Sequence, residues 1–288
     1  MKKIFNYLKL MRFQYPTGFF LLWWPVLWSL WIANKGNPKK ILILILFIET
    51  IIIRSIGCII NDIIDKKIDL KTHRTQNRML ASNKIHTQEA LILVGILLLI
   101  SCFILLIFLK NCFYYALISL IFIIIYPFCK RFTNFPQIIL GLTFSMSIPI
   151  TFIASQVPIF NIQAFILFII TFLWITSCDI QYALSDYEDD ILNKIKSITI
   201  LFKQNYKIYI ISIQIIFHFM WLFFLNKITY ISIFLLFWSI STYILIHQKN
   251  ILNHKDKKSC LKTFSLNSWY GLFMWLAFYL NKFIQNNQ

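Results

Sequence analysis

The sequence predicts an all-α, polytopic membrane protein, a bundle of about nine transmembrane helices with its N-terminus in the cytoplasm. Three observations predict it. Of 288 residues, 59% are hydrophobic and only 14% charged, where a soluble globular domain is roughly a quarter charged. Apolar runs such as 41–53, 90–109 and 162–175 are too long for ordinary core helices, and a bilayer core about 30 Å thick takes about 20 such residues per helix. The basic residues are also distributed unevenly between alternate loops. Six glycines and seven prolines exclude collagen-like and disordered classes.

Hydropathy and breakers place nine apolar spans at about 17–34, 41–60, 90–109, 112–129, 136–155, 162–183, 208–226, 228–247 and 264–281, read as one domain over 1–288. The first follows Lys2 and Lys3 and is closed by the polar stretch 34–40 without a small-residue cleavage site. That marks a retained helix and not a signal peptide. The short connections at Lys110–Asn111 and Asn226–Lys227 predict antiparallel neighbours, whereas 61–89 and 186–207 are long and polar.

The net charge of +17 comes from 28 Lys+Arg against 11 Asp+Glu. With a cytoplasmic N-terminus, the outer segments hold only Lys35, Lys39, Lys40, Lys110, Lys227 and Lys282; Arg54 lies inside a span. The other basic residues, Lys203 among them, fall on the inner side, as the positive-inside bias requires. Both long polar loops then face the cytoplasm. The charge therefore calls for no nucleic acid. Six scattered cysteines form no CxxC pair and read as small buried hydrophobes. His73, His86, His247 and His254 show no metal spacing, and His218, inside the seventh span, reads as a satisfied packing residue.

The acids are the most informative residues. Asp62, Asp65 and Asp69 lie at the end of the second span; Asp179, Asp186, Glu188, Asp189 and Asp190 lie at the end of the sixth. Together they are eight of the 11 carboxylates. On a helix continuing from the second span, Asp62, Asp65 and Asp69 share one face with Asn61 beside them. Such like charges are stabilised by a hard divalent cation; Mg²⁺ takes oxygen ligands and is commonly completed by substrate phosphates. A solvated juxtamembrane face, with Lys66 and Lys67 interleaved, explains the same residues. In the second window Asp186 and Asp190 are one turn apart. Asp179, two turns deeper on the same stripe, is costly in a membrane and points to a cavity or an internal partner.

Lys71, His73, Arg74, Asn77 and Arg78 follow the first window. Metal carboxylates beside guanidinium forks are how proteins hold a diphosphate, although positive-inside bias supplies some cations without function.

The segment 61–78, Asn-Asp-x-x-Asp-x-x-x-Asp followed by His73-Arg74-Thr75-x-Asn77-Arg78, resembles the first signature of the UbiA superfamily of intramembrane aromatic prenyltransferases. Residues 178–190 with Ile195-Lys196-Ser197 resemble the second. The loop Tyr126-Pro127-Phe128-Cys129-Lys130-Arg131-Phe132-Thr133-x-x-Pro136-Gln137, then Gly141 and Ser147-Ile148-Pro149, resembles the ubiquinone branch, as do Asp179-Ile180-Gln181-Tyr182-Ala183. Arg12, Pro16-Thr17-Gly18 and Trp24-Pro25 also fit. Cys178, in place of an aromatic, and Met79-Leu80, in place of Pro-Leu, depart from the pattern. After about Phe202 the match is one of hydropathy.

The resemblance implies a nine-helix fold in the bacterial inner membrane, with the site opening toward the cytoplasm. The implied reaction transfers a polyprenyl group from its diphosphate to the ring carbon ortho to the hydroxyl of 4-hydroxybenzoate, in ubiquinone biosynthesis. Mg²⁺ would be held by Asn61, Asp62, Asp65, Asp69, Asp186 and Asp190, with Asp62, Asp65, Asp186 and Asp190 central to catalysis. Lys71, Arg74, Arg78, Lys130, Arg131 and Lys196 would clamp the diphosphate. Arg12 and Arg54 are the candidates for the carboxylate of the aromatic acid; alternatively Arg12 is a positive-inside anchor and Arg54 pairs with Glu49. Asp179, Tyr182 and Asn77 are expected around the cavity. Two other readings are a membrane cation transporter using Asp179 and Glu49, and a relative acting on another aromatic acceptor. A CDP-alcohol phosphotransferase would need glycine and Ala-Arg between its aspartates, which 62–69 lacks.

Overall fold

The computed structural model describes residues 2–202, 205–253 and 256–286; Lys203 and His254 lie outside the described residues. Among the described residues every regular element is helical. In order these are α1 (Lys2–Leu10), α2 (Thr17–Ala33), α3 (Lys40–Ile64), α4 (Lys66–Asp69), α5 (Thr87–Phe108), α6 (Phe113–Phe132), α7 (Pro136–Ser145), α8 (Ser147–Ala154) and α9 (Ile162–Ala183). They continue with α10 (Tyr187–Leu192), α11 (Ile198–Phe202), α12 (Tyr206–Met220), α13 (Ile231–Ile251) and α14 (Lys257–Asn286). Helix is the form a chain takes in hydrocarbon, because it satisfies its own backbone polar groups.

Each predicted apolar interval is helical over most of its length; 208–226 ends in a 3₁₀ turn, and 228–230, inside the interval 228–247, is non-helical before α13. Seven helical stretches are long and apolar enough to cross a membrane, α7 and α8 forming one of them across a bend at Met146. α2 is apolar but has 17 residues, and α14 has 30 residues but a more polar composition. The chain is a multi-pass membrane protein.

The helices pack in a ring: α2 on α3, α3 on α6, α6 on α7, α7 on α9, α9 on α12, then α13 on α14, with α14 closing against α2. α5 covers α3. Aromatic residues bind the closed side of the ring. Trp28 is fully buried, its ring centroid 4.9 Å from that of Trp174 and 5.0 Å from that of Trp221, and its indole N–H donates to the Gly271 carbonyl at 3.0 Å. His218 packs as expected, hydrogen-bonded to Tyr270 at 3.1 Å and to Thr242 at 2.7 Å, and stacked on Trp238. All six cysteines are free; four of them, Cys58, Cys112, Cys178 and Cys260, are buried.

The two acidic windows deviate from the continuous helices that periodicity predicts. α3 ends at Ile64, Asp65 sits between helices at φ −87° and ψ 4°, and α4 resumes the turn. Backbone bonds from Asp65 to Asn61 (2.9 Å) and from Asp69 to Asp65 (2.8 Å) preserve the helical spacing, so the three aspartates stay together. α9 tightens into a 3₁₀ turn at Leu184–Asp186 before α10. These windows are the ends of α3 and α9, which are not neighbours in the ring.

Close approach of α7 to α9 depends on Gly141. A Cβ there would lie 2.8 Å from the Phe172 carbonyl and against the Thr176 hydroxyl. Gly141→Val is expected to cost about 1–3 kcal/mol by overpacking, read as a lower melting temperature of the purified protein in detergent. An unchanged melting temperature would show that α9 yields at this contact.

Candidate active site

One cavity of about 870 Å³ occupies the interior of the ring. Asn61, Asp62, Asp65, Asp69, Asp179, Asp186 and Asp190 all line it, so the ends of α3 and α9 face a common space. Asp62, Asp65 and Asp69 are buried, at 3–5% exposure. Carboxylates so far from water need partners, and the chain supplies them from elements remote in sequence.

Asp62 accepts from the Arg12 guanidinium at 2.5 Å and from Arg78 at 3.2 Å. Arg78 also bridges to both oxygens of Asp69, at 3.0 and 2.8 Å. Lys130, from the end of α6, donates to Asp65 Oδ2 at 3.0 Å. Arg74 forks onto Asp186, Nε reaching Oδ1 at 2.7 Å and Nη2 reaching Oδ2. Its Nη1 donates to the Tyr182 hydroxyl at 2.6 Å.

These contacts set the charge states. Burial opposes the charge on Arg74, but Tyr182 and Asp186 outweigh it and hold the guanidinium above its ordinary pKa. Arg12 is raised in the same way, burial being outweighed by Asp62. Burial raises the Asp69 carboxyl, and Arg78 offsets only part of the rise. Arg12 also holds a left-handed backbone, φ 60°, a conformation costly for a side-chain-bearing residue, and from there reaches Asp62.

Most of the expected residues come together. Arg12, Arg54, Arg74, Asn77, Arg78, Lys130, Tyr182 and Lys196 line the cavity with the acids. Lys71 and Arg131 do not: Lys71 is exposed, and Arg131 donates to the Ile64 carbonyl at 2.8 Å, capping α3 from outside. Asp189 is buried but turns away to Lys257, 3.4 Å distant, and Glu188 is exposed. The alternative Arg54–Glu49 pair does not form. Five residues apart on a helix, the two point in different directions; Glu49 instead accepts from Ser101 at 2.7 Å. Among the described residues no carboxylate lies within ion-pairing distance of Arg54, whose guanidinium lies against Gly18, where a Cβ would overlap it.

Tyr126 is a contact that motif reading left without a role. Its hydroxyl donates to Asp179 at 3.4 Å, and the Lys130 ammonium lies 5.7 Å from its ring centroid. The signal was available: Tyr126 and Lys130 are four residues apart on one helix face.

Among the described residues no three Asp, Glu, His or Cys side chains converge closely enough to hold a metal ion. Basic side chains stand between the carboxylates instead. The donor chemistry nonetheless suits a hard divalent ion, being all oxygen, and Asp65 Oδ1 is buried without a protein partner. Rearrangement of Arg74, Arg78 and Lys130 onto an anionic ligand would free carboxylate oxygens for such an ion.

Residues 22–277 match the UbiA prenyltransferase family. The chain belongs to the UbiA prenyltransferase family. It is 42% identical over 271 residues to a 4-hydroxybenzoate octaprenyltransferase of Legionella pneumophila (strain Lens), covering 94% of this chain and 96% of that one. It is 36% identical over 286 residues to the 4-hydroxybenzoate octaprenyltransferase of Coxiella burnetii (strain CbuK_Q154), covering 97% of each. The fold is similar to the apo structure of a UbiA homolog from Aeropyrum pernix K1, with TM-score 0.78 at 14% identity, covering 92% of this chain and 98% of that one. It is also similar to a UbiA homolog from Archaeoglobus fulgidus bound to GPP and Mg²⁺, with TM-score 0.68 at 15% identity, covering 95% and 99%. The UbiA signatures named from the sequence are the two helix ends that meet at this cavity.

The ion pairs give a stability prediction. Arg74→Ala leaves Asp186, 14% exposed at its side chain, without its fork, and the ligand-free protein is expected to lose about 1–3 kcal/mol. Thermal unfolding in detergent reads the loss. Tyr182→Phe, which keeps the fork, should cost less than half as much; equal losses would place the stabilisation on the phenol.

Proposed function

We propose that this chain transfers a polyprenyl group from polyprenyl diphosphate to the ring carbon ortho to the hydroxyl of 4-hydroxybenzoate, giving 3-polyprenyl-4-hydroxybenzoate for ubiquinone biosynthesis. One observation carries the reading: two acidic helix ends and their arginine and lysine partners line one end of a cavity whose remainder is largely apolar. Family membership and the names of the relatives support it. The chain acts as one domain over 1–288, with nine spans, in the bacterial inner membrane; the basic-residue bias supports a cytoplasmic N-terminus and a site opening to the cytoplasm.

Asn61, Asp62, Asp65, Asp69, Asp186 and Asp190 are the proposed Mg²⁺ ligands. When bound there, Mg²⁺ would supply positive charge that stabilises the departing diphosphate. Arg74, Arg78, Lys130 and Lys196 line the same space and clamp the leaving diphosphate as charge develops on it. Lys71 and Arg131, exposed and outside the lining, are assigned to the approach to the cavity and to the end of α3. The apolar wall below excludes water from the allylic cation. Arg54, without an ion-pair partner among the described residues, holds the acceptor's carboxylate; Arg12, engaged by Asp62, positions that aspartate. Asp179, Tyr182 and Asn77 complete the wall.

A cation transporter would also place carboxylates inside the membrane, but it has no use for the Arg74 fork. Under the transferase reading EDTA abolishes product and Mg²⁺ restores it. Asp65→Asn and Asp186→Asn each lower turnover by about a hundredfold or more, measured with labelled 4-hydroxybenzoate and extraction of the lipid product. Near-normal turnover in both variants would overturn the ligand set. Arg54→Ala should raise the KM for 4-hydroxybenzoate roughly tenfold and leave that for the prenyl diphosphate unchanged, because a charge pair away from the breaking bond contributes uniform binding. A rise in both KM values would assign Arg54 to the fold.

A further inference from the structure

The short helix α1 stands outside the ring and turns three different sides to its surroundings. Tyr7, with Leu10 and Met11 three and four residues on, forms one side. It packs on the chain: Leu10 is buried, and the cluster around it includes Ile56 and Ile59 of α3 and Ala90 of α5. The Tyr7 hydroxyl donates to Glu89, in the first turn of α5, at 2.6 Å, and the Lys3 ammonium lies 3.0 Å from the same carboxylate. Ile4, Phe5 and Leu8 form a second stripe by the same spacing. That stripe is exposed, at 65%, 63% and 37%. Asn6 and Lys9 occupy the third side; Lys9 is exposed and belongs to the lining of the cavity, together with Arg12 and Tyr15.

The level at which α1 docks points to what covers the stripe. Its partners are the last turns of α3 and the first turn of α5, the ends of two helices long enough to cross a membrane. Just beyond Glu89, Leu91 and Ile92 of α5 are exposed apolar residues on the membrane-crossing part. α1 therefore lies where the polar end of the bundle meets hydrocarbon. Its nine residues span about 14 Å, less than half of a bilayer core about 30 Å thick, so it does not cross. A helix with one apolar stripe and a basic polar side lies in the plane of the interface. The α1 sequence carries Lys2, Lys3 and Lys9 and no acid, the charge that anionic headgroups attract. Tyr15, exposed in the turn that follows, is a residue type enriched at the same level.

We propose that α1 is an interfacial helix that binds an anionic phospholipid surface beside the cavity, with Ile4, Phe5 and Leu8 set among the upper acyl chains. None of these three residues takes part in the transfer proposed above, and α1 would bind lipid whatever reaction the cavity runs. The lipid seat and the contacts of Tyr7 and Leu10 hold α1 from two sides.

Hydrogen–deuterium exchange of the α1 amides in the full-length protein tests this, in nanodiscs of phosphatidylcholine alone and of phosphatidylcholine with phosphatidylglycerol. Exchange should be roughly fivefold slower with the anionic lipid. In that bilayer Phe5→Glu should speed it by about tenfold or more, the effect of withdrawing one large apolar side chain from hydrocarbon, whereas Phe5→Leu should stay within about threefold of wild type. Unchanged exchange in α5 shows that the bundle is intact; if Phe5→Glu disturbs α5, Leu8→Glu replaces it. A second measurement needs no variant: a phosphatidylglycerol carrying a diazirine in its upper acyl chain should crosslink to Ile4, Phe5 or Leu8 of the wild-type protein. Equal exchange in the two bilayers, no effect of either glutamate variant, or crosslinks on Leu91 and Ile92 with none on α1 would overturn the proposal. So would protection that grows with protein concentration, which would put a second copy of the chain on the stripe.

Discussion

Asp62, Asp65 and Asp69 are almost withdrawn from water and Asp186 is half-buried, and four basic side chains hold them in that state. Those partners come from the segment before α2 (Arg12), the loop after α4 (Arg74 and Arg78) and the end of α6 (Lys130). Removing a carboxylate from water costs several kcal/mol, and only close, well-directed partners repay it. The ion network therefore ties the polar end of the bundle together. The loop after α4 crosses to α9 because Asp186 and Tyr182 are there to receive Arg74. In the proposed reaction each of these basic partners transfers to the anionic donor.

The rest of the ring supplies rigidity and an apolar interior. The Trp28 cluster joins α2, α9, α12 and α14, and Gly141 lets α7 approach α9 closely. With α9 fixed on both sides, its end carries Asp179, Tyr182 and Asp186 to the cavity in a constant register. Charge is concentrated at one end of the cavity and hydrocarbon lines most of the remainder, a division that suits an amphiphile with a diphosphate head.

Much of this was legible in the sequence, for identifiable reasons. Length and apolarity determine where a chain in lipid must be helical, and the nine apolar intervals are helical over most of their length. The clustering of acids at two helix ends pointed to the cavity, which six of the eight line; Glu188 and Asp189 do not. The partner choices were not legible. Arg54 and Glu49 look like a pair by proximity in sequence, but helix geometry turns Glu49 toward Ser101. Arg131 and Lys130 are neighbours, yet one caps α3 and the other enters the cavity, because adjacent helical residues point apart. Asp189, counted with the acidic window, turns to Lys257 for the same reason. Long-range pairs such as Arg12–Asp62 and Lys130–Asp65 depend on how helices distant in sequence meet.

In the proposed reaction the carboxylates of α3 and α9 exchange their basic partners for a metal that holds a diphosphate. An experimental structure with Mg²⁺ and a prenyl thiodiphosphate that cannot ionise readily tests it most directly. Metal is expected within about 2.1 Å of oxygens from both Asp65 and Asp186, with Arg74 and Lys130 moved onto the diphosphate. Diphosphate bound with Arg74 still on Asp186, Lys130 still on Asp65 and metal on neither window would contradict it.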